Sequence, residues 1–323
     1  MTSRPADHPP SNGSRPDAQP VPSWNTSASS GAAPMAPHLD PWITELARPG
    51  RRGILKRGGR RIKDEAAATA LVAAITSPRR LAVVGLKGGT GKTTLAVAMA
   101  MTLARARGED VLLFDADTRH GSLPLRTGVL PVASAHDLAV TGDPGRIEIL
   151  AGSLGRSPDG VWVMPSGRTA SQSAEMDERV YTGAMNAVYR HFPIIITDCG
   201  AGVATPLVQR VLSGAHCLVL ATTTSADGVQ TTESALDWLQ RTGYGALTKR
   251  SIVVLTNVDP KGPGMTLAEA RRRFASSCAA VIAIPADRHL ALGGRLDLDA
   301  LQPTTRAAFE QLAAAVMTGA RSA

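Results

Sequence analysis

The sequence is short of aromatic residues, cysteines and long apolar runs, and each shortage excludes a class of protein. Aromatics are 3% of 323 residues, too few for the stacking platforms that hold single-stranded nucleic acid. The three cysteines, Cys199, Cys217 and Cys278, are widely spaced and odd in number. They fit neither a disulfide framework nor a Cys-x-x-Cys metal or redox site, and point to a reducing, cytoplasmic compartment. No stretch of about 18 uncharged apolar residues occurs, and the opening residues lack the apolar run of a signal peptide. The expectation is a chain with no stable membrane insertion.

The formal charge of +8 is unevenly placed. Residues 1–50 hold 3 basic and 4 acidic side chains, 51–63 hold 7 and 0, and 64–323 hold 25 and 23. The basic character therefore sits in thirteen residues, and the rest is close to neutral, unlike a nucleic-acid protein with a basic surface throughout. Residues 51–63 can meet an anionic leaflet or nucleic-acid phosphates, at about 1 kcal/mol per basic residue for the leaflet, or serve as a solvated linker. Residues 1–50 contain 10 of the 22 prolines and no periodic apolar face, so a disordered tail is expected. Within it only Leu39-Asp-Pro-Trp-Ile-Thr-Glu-Leu46 has the side chains to fold onto a partner.

At 43% hydrophobic the chain can bury a sizeable core. Asp64–Ile75 reads as a short helix that Ser77-Pro78 ends. From Leu81 onward, apolar runs at 81–86, 111–114, 161–164, 193–197, 216–221, 251–256 and 280–284 alternate with amphipathic segments at 92–107, 173–190, 203–213, 227–242, 265–277 and 303–317. This predicts a three-layer α/β domain with a mostly parallel sheet. The segment 141–160 reads as a loop, with an extra strand at 147–151. The organisation expected is a tail over 1–50, a basic segment and short helix over 51–80, and one domain over 81–323.

The strongest signal is Gly85-Leu-Lys87-Gly88-Gly89-Thr90-Gly91-Lys92-Thr93-Thr94, which satisfies GxxxxGK[ST] between a predicted strand and a predicted helix. Its glycines let backbone N–H groups close around phosphate oxygens, Lys92 reaches the outer phosphates, and Thr93 can ligate Mg²⁺. Lys87 adds a second lysine at the start of the loop. With it the motif becomes a deviant Walker A, and the chain resembles the MinD/ParA family of dimerising P-loop ATPases over about 81–317.

The resemblance implies ATP and Mg²⁺ as ligands and a homodimer that sandwiches ATP, with Lys87 reaching the partner's nucleotide. Such a cation would offset the repulsion of two facing triphosphates. Phe114-Asp115-Ala-Asp117 resembles the family's DxD element, implying Asp117 for the attacking water and Asp115 near the metal; a solvated N-capping turn is the plain alternative for Asp117. Thr118-Arg119-His120-Gly121 matches its first switch. Ile194-Ile-Ile-Thr-Asp198-Cys-Gly-Ala-Gly202 reads as Walker B, with Asp198 holding Mg²⁺ through water. The family more often has Ser or Thr then Pro after this Asp, so the switch is loosened here. Cys199 reads as a packing residue. Asn257 and the pair Pro285 and Asp287 match the family's adenine site, although each could simply end a strand.

Val84-Gly-Leu-Lys-Gly-Gly, Asp198-Cys-Gly, Leu236-Asp-Trp-Leu239 and Asp287-Arg-His-Leu290 are similar to the MinD-like ATPases associated with type VII secretion. That branch also has a proline-rich extension and an arginine-rich segment. It implies an ATP-hydrolysing switch that regulates or positions a membrane-bound secretion machine, peripheral to the membrane. Two other readings stay open: a partition ATPase at the nucleoid binding non-specific DNA as its ATP dimer, and a nucleotide-stabilised adaptor without useful turnover. Arg271-Arg272-Arg273 could touch DNA phosphates or be a solvated face. The segment 305–317, with small apolar residues and one arginine, reads as a core-packing helix, not an amphipathic membrane anchor.

Overall fold

The structure, a computed structural model, describes residues 58–118, 121–130, 132–259 and 264–323, with side chains from Glu65 onward. The expectations for the tail, for 51–57, and for Arg119 and His120 lie outside the described residues.

Eight strands form one sheet: β1 Arg79–Gly85, β2 Val111–Ala116, β3 Gly155–Arg156, β4 Val161–Met164, β5 Ile194–Ala201, β6 Cys217–Thr222, β7 Ile252–Val258 and β8 Ala280–Pro285. Their order is β3-β4-β2-β5-β1-β6-β7-β8. All neighbours are parallel except the two-residue β3, which runs antiparallel to β4 at one edge. The helices of eight or more residues are α1 Gly58–Val72, α2 Lys92–Arg107, α3 Glu178–Val188, α4 Pro206–Ser213, α5 Ala226–Arg241, α6 Leu267–Phe274 and α7 Pro303–Arg321.

The strands are buried on both faces, which is why they read as continuous apolar runs. Leu81, Val83, Val111, Leu113, Ile194 and Ile196 enter the core under α2 and α7. Ala82, Val84, Leu112, Phe114 and Ile195 enter the opposite core, under α3, α4 and α5. Continuing that alternation places Asp115 and Asp198 on the α2 face. In α2 nearly every residue from Leu95 to Ala104 is buried, as in a helix sandwiched in a core. Gly108, in the left-handed conformation, ends it by donating to the Ala104 carbonyl (2.9 Å).

Four expectations are corrected. The helix expected from Asp64 begins at Gly58 and ends at Val72; Arg107, its side chain buried, donates to the carbonyls of Leu71 and Ala73 (2.8 and 3.0 Å) and so caps it. The extra strand at 147–151 is a helical turn, Ile147–Ala151. Of that turn only Leu150 is buried, and β3 takes the place beside β4. The helix expected over 173–190 is two pieces, Ala170–Ala174 and α3. Asp177 starts the second by accepting from the Arg179 and Val180 N–H groups (2.9 and 2.8 Å). The 303–317 helix runs on to Arg321. The core-packing reading of that helix holds: Phe309, Leu312, Ala313, Val316 and Met317 are fully buried, and among the described residues no helix is long and apolar enough to cross a membrane.

Candidate functional site

The loop from Gly85 to Lys92 joins the C-terminal end of β1 to α2. That is where strand order reverses, since β2 lies to one side of β1 and β6 to the other. Gly85 has no room for a side chain: an added Cβ would stand 2.2 Å from Thr90 Oγ1 and 2.6 Å from Lys92 Cγ. The Gly85 carbonyl accepts from the Gly202 N–H (3.0 Å), tying the loop to the end of β5. Thr90 donates to the Lys87 carbonyl (3.2 Å), and Gly91, at φ 79°, turns the chain into α2. Gly88 and Gly89 are exposed, and Thr93 and Thr94 sit half-buried in the first helical turn. Lys92 is buried, at 8% exposure, although it is a lysine. A buried ammonium needs anionic partners.

The carboxylate that feels its charge is Asp198. The β2–β5 register sets Asp115 directly opposite Asp198, both 1% exposed. Burial raises the Asp198 carboxyl, against a hydrogen bond from Thr93 and the charge of Lys92. Burial, and then the Asp198 charge, raise Asp115 well above the carboxylate range. Asp115 Oδ2 and Asp198 Oδ1 are buried with no hydrogen-bond partner, whereas Asp115 Oδ1 accepts from the Asp117 N–H (2.9 Å). Asp115 Oδ2 lies against Gly121, 2.2 Å from where an added Cβ would stand, and the unsatisfied Asp198 oxygen beside the helix-terminal Thr93 fits a divalent cation. Among the described residues no group of three or more His, Cys, Asp or Glu could hold a metal by itself. That composition suits Mg²⁺, which takes one or two protein ligands and completes its shell with water and phosphate. The Asp117 carboxylate lies beside Gly200, whose added Cβ would stand 3.7 Å from Asp117 Oδ1.

Lys87 is exposed and forms an ion pair with Asp227, in the first turn of α5. Its hydrogen bond holds the Asp227 carboxyl down at about 2. Sequence reasoning missed Asp227, because 140 residues separate the pair and the only local signal is an acidic residue after the capping Ser225. On the other side of Gly91, Thr256 lies 3.7 Å from where a Cβ would be. It borders a cleft of about 410 Å³ lined by Thr223, Thr224, Ser225, Thr256, Asn257 and Gly264. Asn257 is exposed there and holds a left-handed φ of 54°, which asparagine tolerates better than most side chains. Thr223 and Ser225 were not anticipated.

Asp287 is placed differently. Its Oδ1 accepts from the His289 N–H and its Oδ2 from the Gln302 N–H, each at 2.9 Å. Both oxygens thus serve the fold, fastening the turn after β8 to the start of α7, and Pro285 closes that strand. Cys199 is buried, and its surroundings push the thiol far up. That makes it a packing residue.

Residues 81–291 match the family model described as the CobQ/CobB/MinD/ParA nucleotide binding domain. The ESX-1 secretion-associated protein EspI of Mycobacterium tuberculosis is 32% identical over 239 residues, which are 73% of this chain and 36% of that protein. The chain therefore spans little more than a third of that relative's length. A ParA family ATPase from Chlorobium tepidum TLS superposes with a TM-score of 0.62 at 18% identity, covering 73% of this chain and 98% of that one. The septum site-determining protein MinD from Pyrococcus horikoshii OT3, solved with Mg-ADP, superposes at 0.59 and 21% identity, covering 73% and 94%. Both show the same fold.

Proposed function

The chain belongs to the CobQ/CobB/MinD/ParA nucleotide-binding family, and we propose that it is an ATP-hydrolysing switch that dimerises around its nucleotide. The observation that carries this reading is the buried Lys92, whose charge acts on Asp198, with Asp115 opposite Asp198 across the β2–β5 register and each carboxylate left with an unsatisfied oxygen. Backbone N–H groups of Gly88 to Thr94 would hold the phosphates at the start of α2. Lys92 would bear on the outer phosphates, Thr93 and Asp198 would hold Mg²⁺ with Asp115 behind them, and Asp117 would orient the attacking water. Bound Mg²⁺ would neutralise charge building on the phosphates during transfer. Thr256, Asn257 and the cleft beside them would receive the base.

Lys87 belongs to the dimer step. Its ion pair with Asp227 of the same chain would be exchanged for the partner's nucleotide, making closure depend on ATP. The similarity to a secretion-associated relative supports a role in regulating or positioning a membrane-bound secretion machine. In the DNA-binding alternative the arginine triplet would offer Arg271 and Arg272 alone, since Arg273 is held by Glu233 (Nη2–Oε2 2.7 Å). Titration of ATP with Mg²⁺ into wild-type and Lys92→Ala protein tests the site. Equal affinity for the two would overturn the assignment.

A further inference from the structure

At the end of the sheet away from the phosphate loop, three arginines gather around one histidine. Arg79 and Arg80 open β1, about 20 Å from the loop at the strand's other end. His216, just before β6, stands beside Arg80. Its N–H donates to the Arg80 carbonyl (2.8 Å), and its Nδ1 accepts from the Arg80 N–H (2.9 Å). Arg250, just before β7, donates through Nε to the His216 carbonyl (2.9 Å). Burial first, and then the charges of Arg80, Arg79 and Arg250, depress the His216 imidazole. The three guanidinium groups therefore bear on one place.

Each guanidinium is held, yet none has its charge answered. Arg80 lies over the Tyr189 ring, 5.1 Å from its centroid, and packs on Gly214, where an added Cβ would stand 2.6 Å from Nη1. Arg79 donates through Nη1 to Ser77 Oγ (2.6 Å). All three arginines are half-buried, and the Nε–H groups of Arg79 and Arg80 are buried with no acceptor. Among the described residues none of the three forms an ion pair, whereas Arg190, next to Tyr189 in the chain, is paired with Asp143 (2.6 Å). Nor do the described residues accept a hydrogen bond from either Nη group of Arg80 or Arg250, or from Nη2 of Arg79, and none of these nitrogens is buried. Because His216 Nδ1 accepts, Nε2 carries the proton and is one more donor. Like charges converging on a half-buried site repel one another and call for an anion.

We propose that this site binds the phosphoryl group of a phosphomonoester, its three terminal oxygens shared among the guanidinium forks of Arg79, Arg80 and Arg250. Such forks match phosphate oxygens in pairs. A carboxylate, or the phosphodiester of a nucleic acid, presents only two such oxygens and a single charge. A soluble phosphorylated compound and a phosphomonoester lipid headgroup offer the same chemistry, and the test separates them.

The full chain, in phosphate-free buffer at about pH 8, is titrated with inorganic phosphate while the Cε1–H resonance of His216 is followed by NMR; at that pH His216 is neutral and phosphate is dianionic. His216→Asn assigns the resonance. Phosphate should move it along a saturable curve, and chloride at the same ionic strength should not. The curve should persist in Lys92→Ala, which separates this site from the phosphate loop. Arg80→Gln and Arg250→Gln should each weaken binding at least about 10-fold. Gly214→Ala, which displaces the Arg80 fork and removes no charge, should weaken it as well; thermal melts check that each variant is folded. No saturable shift up to about 50 mM phosphate, an equal response to chloride, or unchanged phosphate affinity in the two arginine variants would each overturn the proposal. The second arm is sedimentation with phosphatidylcholine vesicles carrying phosphatidic acid, or phosphatidylserine at matched charge. Binding that favours phosphatidic acid and falls in Arg80→Gln assigns the phosphoryl group to a lipid, and binding that is equal in wild type and Arg80→Gln assigns it to a soluble compound.

Discussion

Replacing Gly85 with alanine adds one methyl group where the phosphate loop has no space for it. The new Cβ would stand 2.2 Å from Thr90 Oγ1, 2.6 Å from Lys92 Cγ and 2.8 Å from Lys92 Cδ. Carbon atoms pack at about 3.5–4.0 Å, so the Lys92 stem must retreat by roughly 1 Å. Lys92 is buried and starts a helix whose other face is fully packed, which leaves little slack. Overpacking of this kind costs about 1–3 kcal/mol, at roughly 2–4 °C of Tm per kcal/mol for a domain of this size. The larger effect is on nucleotide binding. Moving the ammonium off the phosphates forfeits a charge-assisted hydrogen bond of about 1.5–3 kcal/mol, or roughly 10- to 150-fold in Kd. Calorimetric titration with Mg-ATP, beside thermal melts, measures both. Gly88→Ala is the control, since no atom lies within 4 Å of its added Cβ; its stability without nucleotide should stay within about 0.5 kcal/mol of wild type. Wild-type ATP affinity in Gly85→Ala would refute the placement of Lys92 at the phosphates.

Asp227→Ala should release Lys87 from its own chain and speed ATP-dependent dimerisation, read by stopped-flow light scattering; an unchanged rate would make the ion pair incidental. Because Lys87 holds Asp227 at about 2, below its ordinary 3.8, the pair persists above the carboxylate range and is lost only as pH falls through about 2. The difference in rate between wild type and Asp227→Ala should then respond to salt, and the state of the pair should not change with pH between about 5 and 8. His216 is depressed by burial and then by the charges of Arg80 and Arg79, and its Nδ1 accepts from the Arg80 N–H (2.9 Å). Its contribution to stability is complete above its unfolded value near 6.5 and is lost as pH falls toward the folded one. Between about pH 7 and 5, His216→Asn should therefore lose less Tm than wild type, and equal loss would remove His216 as a cause. Phe309→Ala, at 0% exposure on α7, should cost about 3–5 kcal/mol in denaturant unfolding. Leu292→Ala, 76% exposed, should cost under about 0.5 kcal/mol.

The parallel sheet and the phosphate loop were legible in the sequence for a local reason. Apolar runs such as 81–86 and 193–197 specify strands buried on both faces, and Asp115 and Asp198 come directly after the apolar runs 111–114 and 193–197. Asp115 and Asp198 could be read one at a time, but their apposition depends on the β2–β5 register, which local sequence does not encode. Lys87 with Asp227 was invisible for the same reason. The hydrogen bonds of Asp287 were not legible, because a strand-ending Asp looks alike whether it faces a ligand or caps a turn, and the Gln302 N–H that it accepts from lies fifteen residues on. The strand expected at 147–151 is a helical turn because a segment that short satisfies strand and helix patterns equally.

In the proposed cycle ATP closes a homodimer whose reopening needs Asp117. The cycle is tested most directly by the solution mass of full-length Asp117→Ala with Mg-ATP, from light scattering behind size exclusion, against Lys87→Ala and Lys92→Ala under the same conditions. Asp117→Ala should elute at twice the monomer mass only when ATP is present, and both lysine variants should stay monomeric. A monomeric Asp117→Ala protein saturated with ATP, or a dimer indifferent to nucleotide, would contradict it.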